Sequence, residues 1–246
     1  MSSSWLLIIF KLFVVIELNT ADQIRLKFNP TGLAHSEGLI WYDSETYTLM
    51  SEKLDSYLEV YRTPSLIEGR SEHLANCSYE NPITDSTVCN IKPDLNACSA
   101  SNHFGYKRRS PCIYIELDKI LNWKPMFYNS TKNLPEKMPT NLKDLISVAV
   151  NNPHKKDTVW LWCEGESPED KELIGPVSYY PRAGFPGYMF PYTGQPGYLS
   201  PLVAVHFEKP AIAIAIHIVC KLWSPNIAQD YTKNLGLARF TLINDE

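Results

Sequence analysis

The chain of 246 residues is 44% apolar and 20% charged, long enough to bury a real core and too apolar for disorder. Its formal net charge of −4 lacks the clustered basic excess that a phosphate backbone requires, which argues against nucleic acid as a partner. The short basic groups Lys107, Arg108, Arg109 and Lys155, Lys156 read as solvated loops.

Residues Trp5 to Leu18 are apolar except for Lys11 and Glu17. As a helix they would extend about 21 Å, short of a bilayer core, and a lysine near the centre costs about 2.5–3.5 kcal/mol on insertion. The run suits the hydrophobic part of a signal peptide, yet no basic stretch precedes it and Asn19-Thr20-Ala21 is an imperfect cleavage site. Two readings stay open for residues 1–21, a cleaved signal peptide and a shortened signal-anchor. Residues 22–42 then read as a stalk and residues 43–246 as one disulfide-stapled extracellular domain.

After an irregular segment through Pro30 and Gly38, Tyr47 to Tyr61 reads as a helix, with Met50, Leu54, Tyr57, Leu58 and Tyr61 on one face. Pro64 ends it, and Asp43 and Ser44 are candidate caps for its first turn. Six cysteines follow, at Cys77, Cys89, Cys98, Cys112, Cys163 and Cys220, without the short pairing of a zinc site. They suit a disulfide framework whose connectivity spacing alone leaves open. Two sequons, Asn76-Cys77-Ser78 and Asn129-Ser130-Thr131, belong to the same oxidising, glycosylating compartment.

From Cys112 the pattern turns to alternation. Ile113, Ile115 and Leu117 share one face of a half-buried strand, opposite Tyr114 and Glu116. Val159, Leu161 and Cys163 share a face opposite Trp160 and Trp162, and Val203, Val205 and Phe207 form a third set. The longest alternation runs Ile212, Ile214, Ile216, Ile218, Cys220, Leu222, and a last strand aligns Ala238, Phe240 and Leu242. Between them, residues 126–157 form a polar, proline-punctuated excursion in which only Leu142 to Val150 suggests a short helix. The sum is a mainly β chain, an antiparallel β-sandwich with one packed helix and long loops. Because Cys163 and Cys220 both face inward, the pattern pairs them as a bridge between the two sheets.

The motifs of a phosphate loop, a zinc-protease helix and a nucleophile elbow are all missing from the sequence. His206 and His217 sit on strands as structural residues, and the carboxylates Glu164, Glu166, Glu169 and Asp170 share one solvated loop. The sequence thus points to a non-enzyme that needs no cofactor and no metal. What remains informative is the turn-rich stretch Gly184 to Pro201, dense in aromatic rings on proline-fixed backbone. Such rings lose little entropy on docking and suit a protein interface; the same rings would also cap the end of a sandwich. The candidate partner-binding residues are Phe185, Tyr188, Phe190, Pro191, Tyr192, Tyr198 and Leu199.

Cys163 and Gly165, Asp170, Gly175, Gly184-Phe185-Pro186, Phe190-Pro191-Tyr192, Tyr198-Leu199, Pro201-Leu202, Ala204-Val205 and Phe207 resemble the beta subunits of sodium/potassium and proton/potassium pumps. So do Phe104-Gly105-Tyr106, Pro111-Cys112, Lys119-Ile120 and Trp123-Lys124-Pro125, and upstream Pro30 to Leu33 and Ile40-Trp41-Tyr42, a coverage of about residues 28 to 243. The resemblance implies an immunoglobulin-like sandwich with sequential bridges, Cys77 to Cys89, Cys98 to Cys112 and Cys163 to Cys220. It also implies a non-catalytic subunit that assists the folding, export and cation affinity of a catalytic alpha subunit, at the extracellular face of the plasma membrane. Against the family's cytoplasmic tail and single membrane helix, only Ser2 to Ser4 precede the lysine-broken run, so the N-terminus is atypically short for a type II single-pass anchor. The alternative is a secreted or adhesive glycoprotein with the same fold.

Overall fold

The computed structural model describes residues 24–31 and 38–245. The apolar run of residues 5–18 and the cleavage site after it lie outside the described residues. Among the described residues no helix is long and apolar enough to cross a membrane.

Two sheets form the body of the protein. One contains β1 (Leu26–Asn29), β5 (Cys112–Leu117), β9 (Leu202–Phe207) and β7 (Val177–Tyr180) in the order β1-β5-β9-β7, every pair antiparallel. The other contains β2 (Leu39–Tyr42), β11 (Leu237–Asn244), β10 (Ala215–Trp223), β6 (Thr158–Gly165) and β8 (Gly184–Pro186) in the order β2-β11-β10-β6-β8. Its β2–β11 pair is parallel and the others are antiparallel. A parallel pair needs a long crossover, which the chain between its first and last strands supplies. The segment read as a stalk therefore contributes an edge strand to each sheet, and Ile24 is already fully buried.

The sheets face one another through the alternating residues. Phe28 of β1 and Phe207 of β9 close on Phe240 of β11 with ring centroids 5.0 and 6.2 Å apart. Ile113 and Ile115 of β5 lie opposite Val205 and Val203 of β9, so both inner rows point at the same core. The outer face of the four-stranded sheet is covered as well, by α1 (Tyr47–Arg62) and a 3-10 segment (Ala100–Arg108). Tyr57 of α1 donates to Glu116 Oε2 at 2.7 Å, and the Tyr114 hydroxyl donates to the carbonyls of Pro93 and Cys98 at 2.9 and 2.8 Å. Hence β5 is buried on both faces, not half-buried as its alternation suggests. Met50, Leu54, Leu58 and Tyr61 form the buried stripe of α1, and Tyr57 is only partly covered. Just before its start, Asp43 Oδ1 takes the amides of Glu45 and Thr46 at 2.8 and 2.7 Å, but the cap position is Thr46 and neither Asp43 nor Ser44 caps the first turn.

Two short helices follow, α2 (Arg70–His73) and then α3 (Thr140–Ala149), the latter the helix suggested inside the polar excursion. Leu142, Ile146 and Ala149 of α3 pack on Trp160 and Trp223, covering the outer face of the five-stranded sheet with a separate cluster. A last short helix, α4 (Pro168–Leu173), opens with a capping box in which Ser167 and Asp170 exchange hydrogen bonds with each other's amides. A small lobe, β3 (Leu74–Ala75) paired in parallel with β4 (Val88–Cys89), sits beside these layers.

The three disulfides join Cys77 to Cys89, Cys98 to Cys112 and Cys163 to Cys220. The last corrects the expected geometry. Cys163 of β6 and Cys220 of β10 are register partners in adjacent strands, with Cα atoms 3.9 Å apart, so the bridge lies within one sheet. Alternation reports the face a residue takes, and both cysteines do take the core face; it does not report which strand stands next door. A second correction concerns Ile212 and Ile214, which are 45% and 42% exposed because β10 begins only at Ala215 and Ala213 has a φ of 57°.

Candidate partner-binding surface

The segment 184–201 crosses the end of the sandwich and is held there by specific contacts. It starts in β8, where Phe185 pairs with Val159 and is enclosed in the core at 0% exposure. Phe185 therefore serves the fold and has no surface to offer a partner, which removes it from the expected set. A 3-10 turn follows (Gly187–Met189), and the Tyr188 ring meets Tyr79 edge-on at 5.0 Å. Burial pushes the Tyr188 hydroxyl above its ordinary range. Phe190 meets Trp123 edge-on at 5.4 Å, and Asn122 N–H donates to the Tyr192 carbonyl at 2.7 Å.

Tyr198 is the inner support of this segment. It is buried against Ile83, Val88 and Cys89 of the small lobe, with Tyr192 lying on it at 4.5 Å between ring centroids. Its hydroxyl is held un-ionised by burial, with Tyr192 and Glu116 acting in the same direction. Lys119 Nζ donates to the Tyr198 carbonyl at 2.9 Å and lies 5.6 Å from the ring centroid. Burial pulls that ammonium below its usual range.

Two polar side chains lock the backbone. Gln195, buried, donates from Nε2 to Thr84 O at 3.1 Å and accepts the Thr193 amide at 2.9 Å. Arg70 of α2, at 0% exposure, donates to Gly197 O at 2.9 Å and to Cys89 O at 3.2 Å. Gly197 must be glycine: its φ is 73°, and a Cβ there would stand 2.3 Å from Arg70 Cα. Sequence reading missed Arg70, since an isolated arginine between turn residues carries no signal of burial. It missed Leu121 too, which is 57% exposed and bridges to Tyr192.

What the segment leaves at the surface is a rigid, half-buried ledge of Tyr188, Phe190, Pro191, Tyr192 and Leu199, extended by Leu121. Its chemistry is that of apolar and aromatic contact with a polar margin, where Thr193 Oγ1 donates to Asp85 at 2.8 Å. The other candidate groups stand apart. Glu164 pairs with Lys221 at 2.9 Å, Glu166 pairs with Arg239, and Asp170 accepts the His217 amide at 2.9 Å. Each of these three carboxylates thus has its own partner, and no two of them share a proton. His206 Nε2 lies 2.7 Å from Ser110 Oγ, and burial lowers the affinity of that ring for a proton. Among the described residues no group of three or more His, Cys, Asp or Glu side chains could hold a metal ion. Asn76 and Asn129 are both exposed.

Fold and surface together define a disulfide-stapled β-sandwich that presents an aromatic ledge. Its sequence matches the family model described as "Sodium / potassium ATPase beta chain" over residues 25–242. Among its relatives, subunit beta-2 of the sodium/potassium-transporting ATPase of Drosophila melanogaster is 41% identical over 212 residues, 84% of this chain and 66% of that protein. Subunit beta-1 from the same fly is 36% identical over 72% of this chain and 54% of its own length. Human subunit beta-2 is 26% identical over 76% of this chain and 60% of its own. The chain belongs to the sodium/potassium ATPase beta chain family. It spans between 54% and 66% of the length of the fly relatives it matches.

Proposed function

We propose that the protein is the non-catalytic beta subunit of a P-type sodium/potassium pump, assisting the folding, export and cation affinity of a catalytic alpha subunit. The supporting observation is the extent of the family match, which enters just before β1 and leaves within β11, taking in both sheets, all three disulfides and the ledge. The relatives carry the name of sodium/potassium-transporting ATPase subunits, and a subunit of that kind needs a rigid contact surface more than a reaction centre. In this reading Tyr188, Phe190, Pro191, Tyr192 and Leu199 meet the partner, with Tyr198 as their support. The domain stands on the extracellular face of the plasma membrane, residues 1–21 target or anchor the chain, and Asn76 and Asn129 carry glycans.

The test is affinity capture of the tagged full chain from gentle detergent extracts of animal cells. Recovery of a P-type ATPase catalytic chain in near-stoichiometric amount is expected, together with a rise in that chain's surface abundance on co-expression. Intact, oxidised protein that brings down no such ATPase would overturn the reading.

A further inference from the structure

The two sequons stand in opposite structural states. At the first, each residue of the acceptor triplet makes a fixed contact once the small lobe has formed, although Asn76 Nδ2 itself stays open. Asn76 Oδ1 accepts from Asn90 Nδ2 at 3.2 Å, and Cys77 is tied to Cys89. The Ser78 hydroxyl donates to Glu80 Oε2 at 2.8 Å while accepting the amides of Glu80 and Asn81 at 3.2 and 3.1 Å. The backbone is fixed on both sides, by Asn90 N–H on Ala75 O at 2.8 Å and by Ser78 N–H on Asn81 O at 2.9 Å. A sequon requires a hydroxyl two residues after the asparagine, so that hydroxyl must be open to the transferase. Here it is already saturated.

At the second sequon nothing comparable holds. Asn129 and Thr131 are exposed, no disulfide enters the triplet, and among the described residues the Thr131 hydroxyl makes no hydrogen bond. The segment stays open to an enzyme after folding.

We propose that Asn76 is a conditional N-glycosylation site, modified only in the interval before Cys77 and Cys89 join, whereas Asn129 is modified whatever the state of that disulfide. This rests on the extracytoplasmic reading above. In the transfer, Asn76 Nδ2 bonds to the anomeric carbon of a lipid-diphosphate-linked oligosaccharide. The glycosidic C–O bond breaks, the lipid diphosphate leaves with the electron pair, and the amide gives up a proton to a base. In the competing step the two thiols lose two electrons and two protons to the disulfide of an oxidoreductase, which is reduced to its dithiol. The timing makes this a real contest. Cys89 follows Cys77 by 12 residues, so it enters the compartment about one or two seconds later at ordinary synthesis rates, and disulfide formation begins on the scale of seconds.

The experiment measures occupancy of both asparagines by glycopeptide mass spectrometry on the full chain made in animal cells. Wild type is compared with Cys89→Ser and with wild type synthesised during a pulse of dithiothreitol. Total cellular glycoprotein is analysed, so a variant that fails to fold is still read, and the pulse requires no variant at all. Expected is partial occupancy of Asn76 in wild type, a rise of about twofold in both test conditions as closure is delayed, and unchanged occupancy of Asn129. Full occupancy of Asn76 in wild type, no response at Asn76, or an equal rise at both sites overturns the proposal. Absence of glycan at both asparagines in every condition overturns the extracytoplasmic reading itself.

Discussion

The guanidinium of Arg70 lies wholly inside the protein and donates to the carbonyl oxygen of Gly197 at 2.9 Å, tying the small lobe to the aromatic segment. A buried charge is tolerated through the hydrogen bonds it makes: one Nη donates to Gly197 O and the other to Cys89 O, while Nε has no partner. Arg70→Met should cost about 2–3 kcal/mol of stability, because a buried and a part-buried carbonyl lose a charged donor that an apolar side chain cannot replace. Urea unfolding gives the magnitude. Hydrogen exchange should quicken first in residues 184–201, and loss of protection spread evenly over both sheets would show that Arg70 does not specifically hold the ledge.

The disulfides should differ in weight according to the chain they close. Cys163 and Cys220 are separated by 57 residues, against 12 and 14 for the other two pairs. On the loop-entropy model, replacing both Cys163 and Cys220 by alanine should cost about 4 kcal/mol, and removing either shorter bridge about 3 kcal/mol. Denaturant titration of the three double variants provides the ranking. An unchanged midpoint for Cys163→Ala with Cys220→Ala would mean that the β6–β10 ladder holds those strands without the covalent link.

Those same cysteines show what the sequence could and could not convey. Alternation placed Cys163, Cys220, Ile216 and Ile218 on the core side correctly, since a period of two fixes the face of every residue in a strand. It carried no register, so a bridge within one sheet read as a bridge between sheets. Ile212 and Ile214 continued the alternation on paper, but the backbone turns at Ala213 and leaves them exposed. In the aromatic segment, composition announced ring density and could not rank the rings. Phe185 is sealed by its pairing with β6 and Tyr198 by the small lobe, both contacts made by chain distant in sequence. Arg70 was illegible for the same reason.

Helix α3 should behave as a separately removable layer. Ile146 is fully buried, and its cluster meets the sandwich at Trp160, Trp162 and Trp223 on the outer face of the sheet. Ile146→Ala should cost about 2–4 kcal/mol of local stability by leaving a cavity under the helix. Exchange should accelerate in residues 140–149 while β10 and β11 keep their protection. Equal loss in those central strands would show that the outer cluster and the inner core unfold as one unit.

The pH dependence of stability should carry the mark of His206. Burial, the largest influence, lowers its proton affinity below the ordinary value of 6.5, although Glu208 and Ser110 pull the other way. The unfolded chain therefore binds a proton at a higher pH than the folded one, and over that interval stability must increase with pH. The contribution is fully present above 6.5 and is lost as the solution is acidified from there toward the folded value. Asp170 acts in a different window. Burial opposes its ionisation, but the amides of His217 and Ser167 outweigh that and hold its carboxyl below 3.8, so its contribution fades only in stronger acid. Denaturation midpoints measured from neutral to mildly acidic pH should thus fall in wild type and stay flatter in His206→Gln, with the two curves rejoining in slope above 6.5. Parallel curves throughout would assign the acid sensitivity to other groups.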